Sequence, residues 1–366
     1  MNSNKSARWF ERHSTATFVI AVIFAIIIVD FISAVFFIPE DYNSFRIPHP
    51  YYHHDLLPNR QAKNIWGDRI YDVYTNSLGF KDEMVRNIPY ESNNKRILFI
   101  GDSFTEALGM TWEESFTGIL DEKFPDIEIL NAGVVSYSPK FYYLKTKYLI
   151  ENKKLKFDEL FVFIDNSDPL NEITYKSFET YENNNLKKFV NQLKRFLYRR
   201  SYLYYSVSNI ILRSKRNPAT QQWNRKSGMA LIDETDLESN DFISATPVWS
   251  LNRPLYNKWG KEGLKLSEKN MDKLIELCKQ NNIEIKIVIY PWPSIIRKKD
   301  INNIQVQFWS KFCSDRNVDL INLYPYFINE QPYNDILKKY FIPGDVHWNQ
   351  DGNKYIAQIL QKYIVR

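Results

Sequence analysis

Ser103 ends the tripeptide Gly101-Asp102-Ser103, which follows the short apolar run Ile97-Leu98-Phe99-Ile100. A serine hydroxyl is a weak nucleophile until a neighbouring base takes its proton. Neutral imidazole suits that task near pH 7, and the chain has five histidines. His13 lies in a basic N-terminal stretch, and His49, His53 and His54 follow an apolar segment. His347 stands in Gly344-Asp345-Val346-His347-Trp348-Asn349, ahead of a final helix that can hold it rigidly. Asp345, two residues earlier on the same turn, can fix the imidazole tautomer and stabilise its protonated form. The chemistry these three side chains suit is acyl transfer through a serine.

The elements around them must bring positions far apart in sequence together. Residues 97–100 read as a buried strand of a parallel sheet, and Gly101 permits a sharp turn after it. Ser103 then falls at the carboxyl end of a strand, where α/β folds place their ligand crevices. Thr111-Trp112-Glu113-Glu114 reads as a capping box opening a helix to about Lys123. Residues 126–131 and 159–165 read as further strands, with a helix between them that starts at Pro139. Later come a helix over 261–282, a strand over 283–290, a helix over 306–316 and a strand over 318–323. Asn349 caps a last helix over 350–364. Alternating strands and helices predict an α/β fold, a doubly wound parallel sheet.

In order and spacing these blocks resemble the SGNH (GDSL-type) serine hydrolases and acyltransferases. Gly101-Asp102-Ser103 resembles the first block of that family, Asn131-Ala132-Gly133 the second, and Asp345-Val346-His347 the fifth. The third block departs from the family's Gly-x-Asn-Asp and reads Asp165-Asn166-Ser167-Asp168. The resemblance implies a flavodoxin-like SGNH hydrolase fold over residues 96–366 and a catalytic set of Ser103, Asp345 and His347. It also implies an oxyanion hole built from the N–H groups of Ser103 and Gly133, with Asn166 or Ser167 as the further donor. Neither a cofactor nor a metal is expected. Asn76-Ser77-Leu78-Gly79-Phe80 reads as a turn and is similar to a segment ahead of the first block in envelope-anchored members.

With 366 residues, 44% hydrophobic and 16% aromatic, the chain can bury a sizeable core. A net charge of +5 is mild for this length and does not suggest a nucleic-acid binder. Residues 1–15 are polar and basic, and residues 18–38 are nearly all apolar apart from Asp30 and Ser33. About 20 residues cross a bilayer as a helix, and basic residues ahead of the span favour a cytoplasmic N-terminus. The expectation is a cytoplasmic tail (1–15), a single-pass anchor (16–38) in the cytoplasmic membrane, a pre-catalytic segment (39–95) and a catalytic domain outside the cytoplasm. Asp30 is costly inside such a span, a cost relieved by snorkelling, since it lies toward the outer third, or by meeting a partner helix.

His53-His54 lacks a third ligand at defined spacing, so a metal is not expected there. Cys278 and Cys313 read as two buried thiols or, outside the cytosol, as a pair. Residues 181–260 read as an insertion into the α/β domain. Its segment 186–216 interleaves lysines and arginines with aromatics, which suits a solvated helix, a membrane surface or an anionic polymer. Its segment 217–241 reads as a polar loop. Trp292, in Pro291-Trp292-Pro293 at a strand's carboxyl end, reads either as a wall of an acyl or sugar pocket or as a packed turn. The expected function is ester hydrolysis on O-acyl groups, foremost O-acetyl groups, of envelope glycans. The alternatives are O-acyl transfer to an envelope polysaccharide, or a silent glycan-binding or assembly subunit in a membrane complex.

Overall fold

The computed structural model describes residues 10, 12–38, 45–67, 69–181, 184–214, 249–328 and 332–364. Two compact units emerge, one formed by residues 1–41 and 181–221, the other by residues 42–180 and 222–366.

Helix α1 (Ser14–Phe37) opens the first unit. The second begins with a hairpin of β1 (Arg46–His49) and β2 (His53–Leu56). Strands β3 (Arg60–Trp66), β4 (Arg69–Thr75) and β5 (Lys81–Asp82) follow, then β6 (Lys95–Ile100). After β6 come the one-turn helix α2 (Ser103–Glu106), α3 (Phe116–Lys123), β7 (Ile127–Asn131), α4 (Pro139–Glu151), β8 (Glu159–Ile164) and α5 (Asp168–Thr174). Helices α6 (Asn185–Arg200) and α7 (Tyr202–Ser214) belong to the first unit. The chain returns to the second unit with α8 (Lys261–Gln280), β9 (Glu284–Ile289), α9 (Pro293–Lys298), α10 (Ile304–Arg316), β10 (Asp319–Asn322), α11 (Tyr324–Phe327), α12 (Tyr333–Tyr340) and α13 (Gln350–Ile364).

The main sheet has eight strands in the order β10-β9-β8-β6-β7-β5-β4-β3. Strands β6 to β10 are all parallel, and counted along the chain their spatial order is 2-1-3-4-5. This is the flavodoxin-like doubly wound order, with its switch point between β6 and β8. Both central strands are buried along nearly their whole length, which explains their unbroken apolar sequences. Helix α8 closes over one face through Met271, Leu274 and Cys278. Gly263 lets it approach α5, because a Cβ there would meet the Pro169 carbonyl oxygen at 2.3 Å.

Strands β3 to β5, from the segment ahead of the first block, extend this sheet as an antiparallel edge, joined at Lys81↔Asn131. Three local expectations change. The helix expected at Thr111 starts at Phe116, because Glu114 turns back onto Thr111 N (2.9 Å) and Arg69, while Ser115 Oγ caps Gly118 N (3.1 Å). The helix expected over 186–216 is two helices, because Ser201 is extended and its Oγ accepts from Tyr204 N at 3.0 Å. Trp249 to Gly260, assigned by sequence to the insertion, pack as a small cluster of Trp249, Leu255 and Trp259 with Leu264 of α8. The expected polar loop 217–241 lies outside the described residues. Cys278 and Cys313 are free buried thiols, each pushed up to about 12 by burial.

In the first unit, α1 is the helix among the described residues that is long and apolar enough to cross a membrane.

Candidate active site

Ser103 starts α2 one turn beyond β6, and Asp102 caps that turn by accepting Phe104 N at 3.0 Å. Gly101 is required here: a Cβ would meet Thr105 Oγ1 at 2.0 Å. The first N–H groups of a helix have no intrahelical acceptor, so the Ser103 N–H is available beside its own hydroxyl. The other end of the turn is pinned by Lys81, whose buried Nζ donates to the carbonyls of Glu106 (3.1 Å), Ala107 (3.0 Å) and Met110 (2.6 Å). Burial lowers the Lys81 ammonium to about 8.

The second half comes from the loop before α13. An isolated bridge pairs Phe341 with Trp348, and Ile342 N donates to the His347 carbonyl at 2.9 Å. Gly344 takes the left-handed conformation at its tip (φ +73°). Asn349 Oδ1 accepts from Gly352 N at 2.9 Å, and its Nδ2 donates to the Phe341 carbonyl at 3.1 Å, so one residue caps the helix and ties the loop.

This loop brings His347 Nε2 to 2.8 Å from Ser103 Oγ. His347 Nδ1 lies 2.8 Å from Asp345 Oδ1. A carboxylate accepts, so Nδ1 carries the proton and Nε2 faces the serine as an acceptor. Burial would raise the Asp345 carboxyl, but the imidazole charge, its hydrogen bond and an N–H from Trp66 outweigh it and hold the carboxyl below its usual range. Trp66 Nε1 donates to Asp345 Oδ2 at 2.5 Å, and its ring meets the His347 ring edge-on at 5.2 Å. Phe104 packs on His347 from another side at 4.7 Å.

On the opposite flank, carboxyls gather. Burial, with the charge of Asp165, pushes Asp102 well above its usual range, and burial with Asp165 and Asp102 does the same to Asp168. Asp102 Oδ1 accepts from Tyr290 OH at 3.3 Å, and Asp102 Oδ2 lies 3.3 Å from Ser103 Oγ, whose one proton points to His347. Ser167, one of the two expected third-block donors, gives its hydroxyl proton to Asp165 Oδ1 at 2.5 Å. Asn166 is buried; its carbonyl accepts from Trp249 Nε1 at 2.7 Å and its Oδ1 from Ser250 Oγ at 3.3 Å. Trp292, read from sequence as either a pocket wall or a packed turn, is largely buried and donates its indole N–H to Asp165 Oδ2 at 2.7 Å. The Gly133 N–H, expected to face an oxyanion, instead donates to Asn131 Oδ1 at 3.0 Å. The glycine itself is needed for space, since a Cβ would meet Thr105 Cβ and Glu106 N at 2.7 Å.

The N-terminal hairpin holds the Gly133 loop. Arg46 forks onto the buried Glu106, whose Oε2 also accepts Val135 N at 2.9 Å. Lys145 joins Asp55 (2.7 Å) to the Ala132 carbonyl (3.1 Å). His54 Nε2 lies 2.7 Å from the Val135 carbonyl, and His54 Nδ1 lies 2.7 Å from His53 Nδ1. Trp66, Lys81, Arg46 and His54 escape sequence reading because their partners are backbone atoms or residues far along the chain, and no spacing marks such pairs. The turn at Asn76 to Phe80 is the one available signal: Gly79, at φ +76°, leads the chain directly into Lys81.

Neither a family model nor a curated protein matches this chain. Solved structures do resemble it. A member of the lipolytic protein G-D-S-L family from Veillonella parvula aligns at 13% identity over 74% of this chain and 99% of its own, with a TM-score of 0.38. The psychrotrophic esterase EstA from a Pseudoalteromonas species aligns at 14% identity over 75% and 100%, with a TM-score of 0.37. An acetyl xylan esterase aligns at 16% identity over 74% and 99%, with a TM-score of 0.39.

Proposed function

We propose that this chain is a serine-dependent ester hydrolase that removes O-acyl groups, foremost O-acetyl groups, from cell-envelope glycans. The observation that carries the reading is the unbroken hydrogen-bond chain Ser103–His347–Asp345, with both links at 2.8 Å. His347 Nε2 takes the Ser103 proton as Oγ attacks the ester carbonyl. The resulting oxyanion is stabilised by the Ser103 N–H and by Asn166. Ser167 is the weaker candidate for that further donor, because its hydroxyl proton is already given to Asp165. Collapse expels the alcohol, which takes its proton from His347. Water, deprotonated by the same imidazole, then releases the acid and restores Ser103. The glycan substrate rests on the family resemblance and on α1, read as an anchor that leaves the catalytic unit outside the cytoplasmic membrane.

The test is hydrolysis of a p-nitrophenyl ester series by the full chain in detergent, beside S103A and H347A. Turnover lost in both variants supports the serine mechanism, and turnover kept in S103A ends it. Stoichiometric acylation of Ser103 without turnover makes the chain a transferase that awaits a sugar acceptor. Absence of fluorophosphonate labelling at Ser103 moves the reading to a glycan-binding subunit.

A further inference from the structure

Helices α6 and α7 carry apolar faces that a water-soluble hairpin would bury. On α6, Leu186 (73% exposed), Phe189 (60%), Leu193 and Phe196 recur at helical spacing and share one face. On α7, Leu203 (64% exposed), Val207, Ile210 (67%) and Ile211 do the same. Large contiguous apolar surface of this kind marks an interaction site. Helix α6 also carries six cationic residues, Lys187, Lys188, Lys194, Arg195, Arg199 and Arg200, and no acidic one.

Both faces continue from α1. Phe196 meets Phe31 at 6.2 Å between ring centroids, and Tyr202 meets Phe37 at 5.4 Å. Asp30 Oδ1 accepts the backbone N–H of Leu203 at 2.7 Å, an N–H that the first turn of α7 leaves without an intrahelical acceptor. The acidic residue in the otherwise apolar α1 is therefore a helix cap supplied to α7. Asp30 stands seven residues before the end of α1 at Phe37, about 10 Å along the axis. That is the depth to which interfacial amphipathic helices sink, about 5–10 Å.

We propose that the α6–α7 hairpin lies in the headgroup–acyl boundary of the membrane that α1 crosses, its apolar faces against lipid tails and its lysines and arginines against anionic headgroups. This rests on reading α1 as a membrane span. The lipid surface is the occupant because the exposed faces are continuous with that span and because the charged residues of α6 are all of one sign.

The test uses the full chain reconstituted in vesicles of phosphatidylcholine with phosphatidylglycerol. Nitroxide labels are placed singly at F189C, V207C and I210C, at K188C and K194C, and at I26C within α1; labelled parent corrects for Cys278 and Cys313. Collision with oxygen, which concentrates in lipid, is compared with collision with a water-soluble nickel chelate. The oxygen-to-nickel ratio at positions 189, 207 and 210 should exceed that at 188 and 194 by about threefold, approaching that at 26. A watery 189, 207 and 210 with a lipid-exposed 26 overturns the hairpin proposal and leaves the anchor standing. A watery 26 removes the anchor and the proposal with it. Positions 189, 207 and 210 shielded from both reagents would place them against protein, a second copy or another chain, and overturn the lipid assignment. A ratio unchanged when phosphatidylglycerol is omitted overturns the role given to the basic flank.

Discussion

Two groups of carboxyls flank Ser103, and burial acts on both. Asp345 is held below its usual range because an imidazole and an indole N–H face it. Asp102 and Asp168 are pushed well above theirs by burial and by neighbouring carboxyl charge, because the neutral hydroxyl and N–H donors that face them offset burial only in part. Burial alone therefore does not set the charge of an aspartate; the partners do. The Asp345 side presents a carboxylate to His347, and the Asp102–Asp168 side is a packed hydrogen-bonding wall.

That contrast is open to direct attack. The largest effect belongs to Ser103→Ala, which should lower kcat/KM on a p-nitrophenyl ester by about ten-thousandfold while leaving the melting temperature nearly unchanged. Asp345→Asn should cost about a thousandfold or more, since it offers His347 the wrong tautomer partner. The same exchange at Asp168, which Tyr142 OH and Asp165 N already bond, should change kcat/KM by less than about threefold. Equal losses at Asp345 and Asp168 would erase the distinction between the two sides.

Trp66→Phe should lower kcat/KM about tenfold by loosening Asp345. Losing an N–H that favours the carboxylate raises its pKa, so the acid limb of the pH–rate profile should move to higher pH. Phe is the cleaner variant than Ala, because the same ring lines a cleft of 630 Å³ with Met110 and Ile342.

The smallest effect is on stability. Burial lowers His54 to about 4 and His49 to about 4. A carbonyl only accepts, so His54 Nε2–H donates to Val135, and neutral Nδ1 must accept from His53. A proton on that Nδ1 breaks the second bond. Folded values below the unfolded one mean stability present above about pH 6.5 and lost as pH falls toward 4, about 2 kcal/mol per histidine by pH 5. Melting temperature against pH, with His54→Gln as control, reads this directly.

The legible part of the molecule is the part whose signals are local. Strands β6 and β8 announce themselves as unbroken apolar runs. Asp345 and His347 are two residues apart and Ser103 follows a glycine turn, so each half of the hydrogen-bonded trio is visible by itself. The donor assigned to Gly133 was not legible, because the Asn131 side chain that takes its N–H competes over two residues with any ligand. The break at Ser201 was signalled by a capping serine inside a periodic run, yet periodicity alone reads straight through it. Trp66 was invisible, since nothing near it in sequence points to Asp345.

The bond between Trp66 and Asp345 spans 279 residues, and this sets a schedule for the nascent chain. The ribosome delivers domains from the N-terminus at roughly 5–20 residues per second. Strands β3 to β5 emerge early but gain a neighbour in the sheet only when Asn131 of β7 arrives. Trp66 waits until Asp345 has been made. On this reading, Ser103 stays without its base until His347 has been made, so chains released before that residue would be inert towards esters.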